Sequence, residues 1–490
     1  MATRLREATL PELGTRVAVP QYDRRVLKGG IVHFGIGNFH RAHQGVYLDD
    51  VFNAGRDHDW AIIGAGVMPS DDAMREKLAA QDFLTTVVEQ EAETSKARIT
   101  GAMIGHLPVG DCAAVIAKLA DPAVRIVSMT ITEGGYFINP ATGKFDPKLP
   151  AIAADAASPE RPTTVFGLIA AGLKRRRESG IAPFTVMSCD NIPHNGVVTR
   201  NAVTGLAALS DADLADWIAA EVAFPNGMVD RITPATGDRE RALLEREFGI
   251  QDAWPVFCEG FRQWVLEDRF PSGRPALDVA GVEFVSDVTP YEHMKIRMLN
   301  GGHAVIAYPA GLLDIEFAHE AMQHPLVSRF LAKVEHEEII PVVPPVPNTD
   351  LGDYYRLLVR RFANPKIGDT VRRLCLDGSN RQPKFIVPSI ADRLKAGAGI
   401  DGLALESALW CRYCFGATDS GIAIAPNDPN WDRLQAQSQK AKDDPAAWLT
   451  MADIYGDVAK DERFSHSFAN WLKELWGTGT TATLQRYLSQ

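Results

Sequence analysis

Alternation constrains this chain more than any other feature. In the first half, short apolar runs end in Gly, Asn or Asp and give way to helical patterns. IVHFG (31–35), AIIGAG (61–66), RIVSMTIT (125–132) and FTVMSCDN (184–191) read as strands. Between them, DCAAVIAKLA (111–120), TVFGLIAAGLKRRRES (164–179) and SDADLADWIAAEVA (210–223) carry helical spacing, the last with Ser210 as its expected N-cap. Strands alternating with helices predict a parallel sheet covered on both faces. From about Val285 the strand signals stop and helical periodicity continues, interrupted by the Pro-rich PVVPPVPNTD (341–350). A chain of 490 residues exceeds one core. The expected architecture is therefore an α/β domain over 1–284 followed by a mostly α-helical domain over 285–490.

Composition narrows the class of function. A net charge of −11 disfavours nucleic acid or an anionic membrane as the main partner. No apolar run approaches the ~18 residues of a membrane span. The first residues, MATRLREATLPELG, lack the apolar stretch of a secretory signal. Six scattered cysteines, with one isolated C-x-x-C at Cys411 and Cys414, read as buried reduced thiols rather than a zinc site. Together these point to a cytoplasmic enzyme acting on a small molecule.

The first strand runs into GIGNFHRAHQG (35–45). Gly35 and Gly37 match the first two positions of G-x-G-x-x-G, and His40 stands at the third. A strand, a tight glycine turn and a helix N-terminus form a site where a pyrophosphate can meet free N–H groups. The first domain is therefore expected to be Rossmann-like and dinucleotide-binding, through Gly35, Ile36, Gly37, Asn38, Phe39 and His40. The second strand ends in Gly64-Ala65-Gly66, and Asp71 and Asp72 are the nearest acids that could hold a ribose. No basic cluster suited to a 2′-phosphate lies nearby, so NAD is expected over NADP. His33, His40, Arg41 and His43 surround the loop; without a third ligand in evidence they are read as shaping it, with no metal.

Two further strand ends carry unusual polarity. TITEGGY (130–136) holds Thr132 and Glu133 before two glycines. SCDNIPHNG (188–196) holds Asp190, Asn191, His194 and Asn195 around Pro193. Turn chemistry explains such residues as readily as function does.

YEHMKIRMLNGGH (291–303) sets polar groups into an apolar helix. At ~100° per residue, Glu292, Lys295, Asn300 and His303 fall within an arc of about 140°. A desolvated lysine can act as a general base, and an asparagine amide can donate to a developing oxyanion. Gly301-Gly302 costs about 1 kcal/mol per residue in a helix interior, which close approach of another group would justify.

The spacing K-x-x-x-x-N-x-x-H at 295–303 resembles the polyol-specific long-chain dehydrogenases, the mannitol 2-dehydrogenase family. GIGNFHRAHQG, TITEGGY, SCDNIPHNG, MVDRITP (228–234) and CLDGSNRQPKF (375–385) resemble it as well. The resemblance implies a zinc-independent secondary alcohol dehydrogenase passing hydride between C2 of a polyol and NAD, with a polyol or ketose as partner and a monomeric or small homo-oligomeric state. It implies Lys295 as general base, Asn191 and Asn300 as donors to the alkoxide, and His303 as an orienting group. Asp230 and Arg373 would contact the distal hydroxyls, with Arg381 and Lys384 as further substrate contacts. Arg381 stands where many relatives have lysine. Glu292 is a candidate proton relay to Lys295. Sugar-acid reductases of the fructuronate and tagaturonate type share the fold, and Arg372, Arg373, Arg381 and Lys384 would suit their carboxylate. The G-N-F-H of the loop tilts the reading to a neutral polyol. A non-catalytic NAD-binding protein is the remaining alternative, and the intact Lys295, Asn191, Asn300 and His303 set argues against it.

Overall fold

The computed structural model describes residues 2–139 and 143–490. They form two compact units, Met1–Val288 and Thr289–Gln490.

The first unit is built on five parallel strands: β1 (Gly29–Phe34), β2 (Ala61–Ala65), β3 (Met103–His106), β4 (Ile126–Met129) and β5 (Thr185–Ser188). Their order is β3-β2-β1-β4-β5. Successive side chains point to opposite faces of a strand. Val32, Phe34, Val127, Met129 and Val186 join one buried cluster, while Ile31, Ile62, Ile126 and Met187 join another on the other face. Helices Val165–Glu178 and Asn195–Ala208 supply the first cluster, and helix Gln44–Asn53 the second. Both faces are therefore dry, which is why the strands read as near-continuous apolar runs. Each fully buried aliphatic or aromatic side chain contributes roughly 1.5–3 kcal/mol.

All four expected strands are present, and the fold is the α/β-then-helical one read from the pattern. Four-residue β3 gave too short a signal to be read. Two three-stranded sheets were also not read. One joins Val256–Glu259, Thr85–Gln90 and Ser95–Thr100; the other joins β6 (Gly227–Asp230) to Gln263–Glu267 and Glu283–Val285. The expected Ser210 cap is corrected: Asp211 caps the helix Ala212–Glu221, its carboxylate accepting from the Leu214 amide at 2.9 Å. A carboxylate next to the helix N-terminus gains from the helix dipole as well as the hydrogen bond.

Among the described residues of the second unit the regular elements are all helical, apart from two isolated bridges. At its heart lies helix Asp401–Cys414, in which only the first residue is exposed. Helices Gly301–Leu312, Pro325–Val334 and Glu462–Leu488 pack against it. Cys411 and Cys414 sit on this buried helix, and burial pushes both thiols up.

Candidate active site

In an open α/β sheet, ligands bind beyond the carboxyl ends of the strands, where the strand order reverses. Here that point is β1, flanked by β2 on one side and β4 on the other. The glycine loop leaves β1 at this position. Gly35 has φ +89°, and a Cβ there would lie 2.1 Å from the Thr130 carbonyl oxygen of β4's end. Glycine is thus demanded by the neighbouring strand. Gly37 differs: a Cβ would meet nothing within 4 Å.

Beneath the loop lies a hydrogen-bonded column. Thr130 Oγ1 donates to the Gly35 carbonyl at 2.6 Å. That uses its only proton, so His33 Nε2, 3.0 Å away, is the donor to Thr130. His33 Nδ1 lies 2.7 Å from Ser128 Oγ, which donates to Gln44 Oε1 at 3.1 Å. The ring is fully buried, and burial pushes its pKa down to about 3, so it is neutral at physiological pH. His40, at the third motif position, is also buried and stacks on His33 with ring centroids 3.6 Å apart. Aromatic stacking thus provides the close helix–strand packing that a third glycine would give. Burial likewise lowers His40, and brings His43 to about 3. Ile36 is buried, Asn38 donates to the Pro234 carbonyl at 3.2 Å, and Phe39 stacks on His43 at 4.8 Å. Among the described residues, no cluster of three or more His, Cys, Asp or Glu side chains is arranged to hold a metal ion.

Asp71 comes late in the sequence but not in space. It lies in the first turn of helix Pro69–Ala79 and accepts from the Val67 and Met68 amides at 3.0 and 2.9 Å. A Cβ on Gly66 would strike its carboxylate at 2.5 Å, so Asp71 folds back onto the end of β2. Asp72 pairs instead with Arg75.

At the ends of β4 and β5, Thr132, Glu133, Asn191 and His194 are exposed. Two neighbours turn inward. Asp190 accepts from the Ile131 and Thr132 amides at 3.0 and 2.9 Å and from the Tyr136 hydroxyl at 2.7 Å. Asn195 spans to β6, donating to the Gly227 carbonyl at 2.8 Å and accepting from its amide at 2.9 Å. SCDNIPHNG is therefore a hub joining TITEGGY to the strand that carries Asp230, which is itself buried. Arg231 adds a further tie. It pairs with Glu89 at 2.6 Å and donates to the Ala42 carbonyl, at the end of the helix after the glycine loop.

In the second unit, the uniform helix expected over 291–303 is corrected. Helix Thr289–Met294 passes into a π-helical segment, Lys295–Asn300, and then into Gly301–Leu312. Turns closed by i→i+5 bonds advance fewer degrees per residue than α turns, so the 140° arc does not describe the segment. Arg297 anchors it, donating to the Val342 carbonyl and pairing with Asp392, both at 2.6 Å. Glu292 and Lys295 are each 5% exposed, and Asn300 and His303 are half-buried. His303 stacks on Phe362, centroids 4.2 Å apart.

The glycine pair is a site of close approach. A Cβ on Gly301 would come within 3.3 Å of the Phe385 carbonyl oxygen, and one on Gly302 within 2.9 Å of Glu335 Oε1. Glu335 opens a second π-helical segment, Glu335–Ile339, and both its carboxyl oxygens are buried without a hydrogen-bond partner. Burial pushes its carboxyl well above the ordinary range. Arg373 grips Asp369 through two hydrogen bonds, Nε to Oδ1 at 2.5 Å and Nη2 to Oδ2. Arg381 donates to the Leu374 carbonyl at 3.1 Å, and Lys384 is exposed.

Two family descriptions match the chain: the mannitol dehydrogenase Rossmann domain over residues 29–279, and the mannitol dehydrogenase C-terminal domain over 287–476. This chain belongs to the mannitol dehydrogenase family. It is 60% identical to a mannitol 2-dehydrogenase of Cereibacter sphaeroides, covering 96% of this chain and 99% of that one. A ternary complex of Pseudomonas fluorescens mannitol 2-dehydrogenase with NAD and D-mannitol is 42% identical over the whole of both chains, with a TM-score of 0.88. A substrate-free D-sorbitol dehydrogenase is 36% identical, covering 98% of this chain and all of that one, with a TM-score of 0.91.

Within this family frame, sequence reasoning missed the inward-facing supports. Asp190 and Asn195 read from sequence as turn or functional residues alike, although a carboxylate at a strand end beside exposed backbone amides is a signal for a clamp. Glu335, in the run EHEEI, looks like a surface charge and gives no such signal.

Proposed function

We propose that this protein oxidises a polyol at C2, with mannitol first and arabinitol or sorbitol as alternatives, to the ketose with NAD, and catalyses the reverse reduction. By family it is an NAD-dependent polyol dehydrogenase. What carries the specific reading is the full-length counterpart solved with both NAD and D-mannitol. NAD fits the first unit, where Gly37 leaves open space beside the end of β1. Gly35, Ile36, Gly37, Asn38, Phe39 and His40 would form its pyrophosphate site, with Asp71 for the ribose and Thr132 and Glu133 completing the contacts. Bound NAD supplies the hydride acceptor.

The chain's own groups handle the proton and the oxygen. Lys295, neutral, takes the hydroxyl proton. Asn191 and Asn300 donate to the alkoxide, doing what a Lewis-acid metal does in zinc-dependent polyol dehydrogenases. His303 orients the substrate hydroxyl, its ring angle fixed by Phe362. Glu292 passes the proton on from Lys295. Asp230, Arg373, Arg381 and Lys384 contact the distal hydroxyls. Arg373 gives part of its donor fork to Asp369, which leaves N–H groups for neutral hydroxyls but offsets the charge a sugar acid would seek. A neutral polyol is therefore favoured over fructuronate. Six unpaired cysteines, five of them buried, accord with a cytoplasmic protein; a monomer or small homo-oligomer is the state the family resemblance implies.

The test pairs NAD with mannitol, arabinitol and sorbitol against NADH with fructuronate, following absorbance at 340 nm. Polyol oxidation should rise with pH as the base loses its proton. No rise in absorbance with any polyol at alkaline pH would overturn the reading.

A further inference from the structure

The turn after β4 holds an unlikely backbone. Thr132 has φ +61° and ψ 168°. That region is essentially reserved for glycine, and a β-branched residue there costs of order 1–3 kcal/mol unless its surroundings impose the conformation. The strained residue is exposed, so no packing requirement of its own side chain explains it.

What imposes it is Asp190. Its two oxygens take the amides of Ile131 and Thr132 side by side. Oδ2 also takes the hydroxyl of Tyr136, at the far end of the same turn. A carboxylate only accepts, so Tyr136 spends its single proton on Asp190. The Ser188 hydroxyl, 2.5 Å from the Tyr136 oxygen, must then donate to it, while Ser188 Oγ accepts the Asp190 amide at 3.2 Å. The ring closes: Asp190 amide to Ser188, Ser188 to Tyr136, Tyr136 to the Asp190 carboxylate. Tyr136 is fully buried against the Phe166 ring, so the ring has a rigid floor. One side chain thus pins both ends of Ile131–Tyr136 and also neighbours Asn191.

We propose that Asp190 is a positioning residue for the reaction proposed above: it holds Thr132 in a strained backbone conformation and thereby sets Thr132 and Glu133 in register with Asn191. The inference rests on the dehydrogenase reading. A clamp serving stability alone would not require that strain fall on the exposed residues assigned to cofactor contact.

The experiment is a double-mutant cycle on the full-length enzyme with NAD and mannitol. Asp190→Asn keeps the shape but faces an amide N–H₂ toward a donor. It should lower kcat about tenfold or more at 25 °C, since misplacement of about 1 Å can cost about 100-fold. Active enzyme is counted by NADH fluorescence titration, so that unfolded protein does not enter kcat. Thr132→Gly takes the same backbone without strain. In the Asp190→Asn background it should recover at least half of the logarithmic loss in kcat, a coupling expected only for interacting sites. A kcat for Asp190→Asn within about twofold of the parent overturns the role, as does a recovery of Tm without recovery of kcat. Should Asp190→Asn not fold, Tyr136→Phe decides. It removes only the far pin, and an unchanged kcat there overturns the proposal. Absence of polyol oxidation in the unmodified enzyme sinks the functional reading itself, and this role with it.

Discussion

The glycine loop of the first unit and the Lys295 segment of the second each combine glycines with buried polar groups, yet they are supported in opposite ways. Under the loop, His33, Thr130 and Ser128 form a buried hydrogen-bonded chain that runs from the Gly35 carbonyl to Gln44 Oε1. Behind the segment, Glu335 presents two buried oxygens with no partner, and Glu406 leaves Oε2 unpaired while Oε1 takes Gln382 at 2.5 Å. The first support uses imidazoles that burial keeps neutral across the physiological range. The second depends on carboxyl groups kept protonated by burial, and so is conditional on pH.

The contrast can be broken in several places, beginning with the largest effect. Lys295→Ala should lower turnover by about 10²–10⁴-fold, the usual contribution of a general base, while NAD affinity is retained. Loss of NAD binding with an unchanged residual rate would remove its assigned role. Gly35→Ala meets a backbone carbonyl at 2.1 Å and carries a positive φ, so neither side can yield. It should destabilise the first unit by more than the ~1–3 kcal/mol of ordinary overpacking, and abolish cofactor binding. Gly302→Ala meets the end of a side chain, which can shift, and should cost about 1–3 kcal/mol by chemical denaturation. Equal costs for the two substitutions would erase the distinction drawn between a demanded and a tolerant glycine.

The pH dependence follows from the acids of the second unit. Burial raises Glu406 from 4.5 to about 8 and Glu338 from 4.5 to about 7. Below pH 4.5 both are protonated whether the chain is folded or not. Between 4.5 and 8 the unfolded chain releases protons that the folded chain keeps. Stability therefore falls as pH rises through this window, by up to about 1.4 kcal/mol per pH unit for each group still protonated in the fold. Denaturation midpoints from pH 5 to 8.5 should decline, and Glu406→Gln should flatten the decline. An unchanged slope in that variant would show that Glu406 is ionised in the fold. The smallest effect is expected for His33→Gln, which can keep one of the two hydrogen bonds. It should raise the KM for NAD a few-fold with kcat nearly unchanged, removing about 1 kcal/mol of loop support.

Much of the architecture was legible because hydrophobic period reports directly on burial. IVHFG and RIVSMTIT gave their strands, and the polar set in YEHMKIRMLNGGH marked a special helix. What sequence could not convey was partnership over distance. Gly302 makes room for Glu335, 33 positions on, and Asp190 reaches back to Thr132 across two helices and a strand. The Arg373–Asp369 pair was within reach, since D-x-x-x-R is a helical i,i+4 spacing. The π-helical turn was not, because periodicity over six residues does not separate i→i+4 from i→i+5 bonding.

That turn makes chain length itself a property of the site. A π-helical turn holds one more residue than the α turn it replaces. At an unchanged residue count, the segment between Lys295 and Asn300 could relax into a straight α-helix, which is locally more stable. Every residue beyond it would then rotate by about 100° and move by about 1.5 Å relative to Lys295. Asn300 and His303 would be present but misdirected. Substitutions that favour α turns at this residue count are therefore expected to give the inactive variants, whereas deletion of one residue would take up the extra turn and leave the residues beyond it nearly in register.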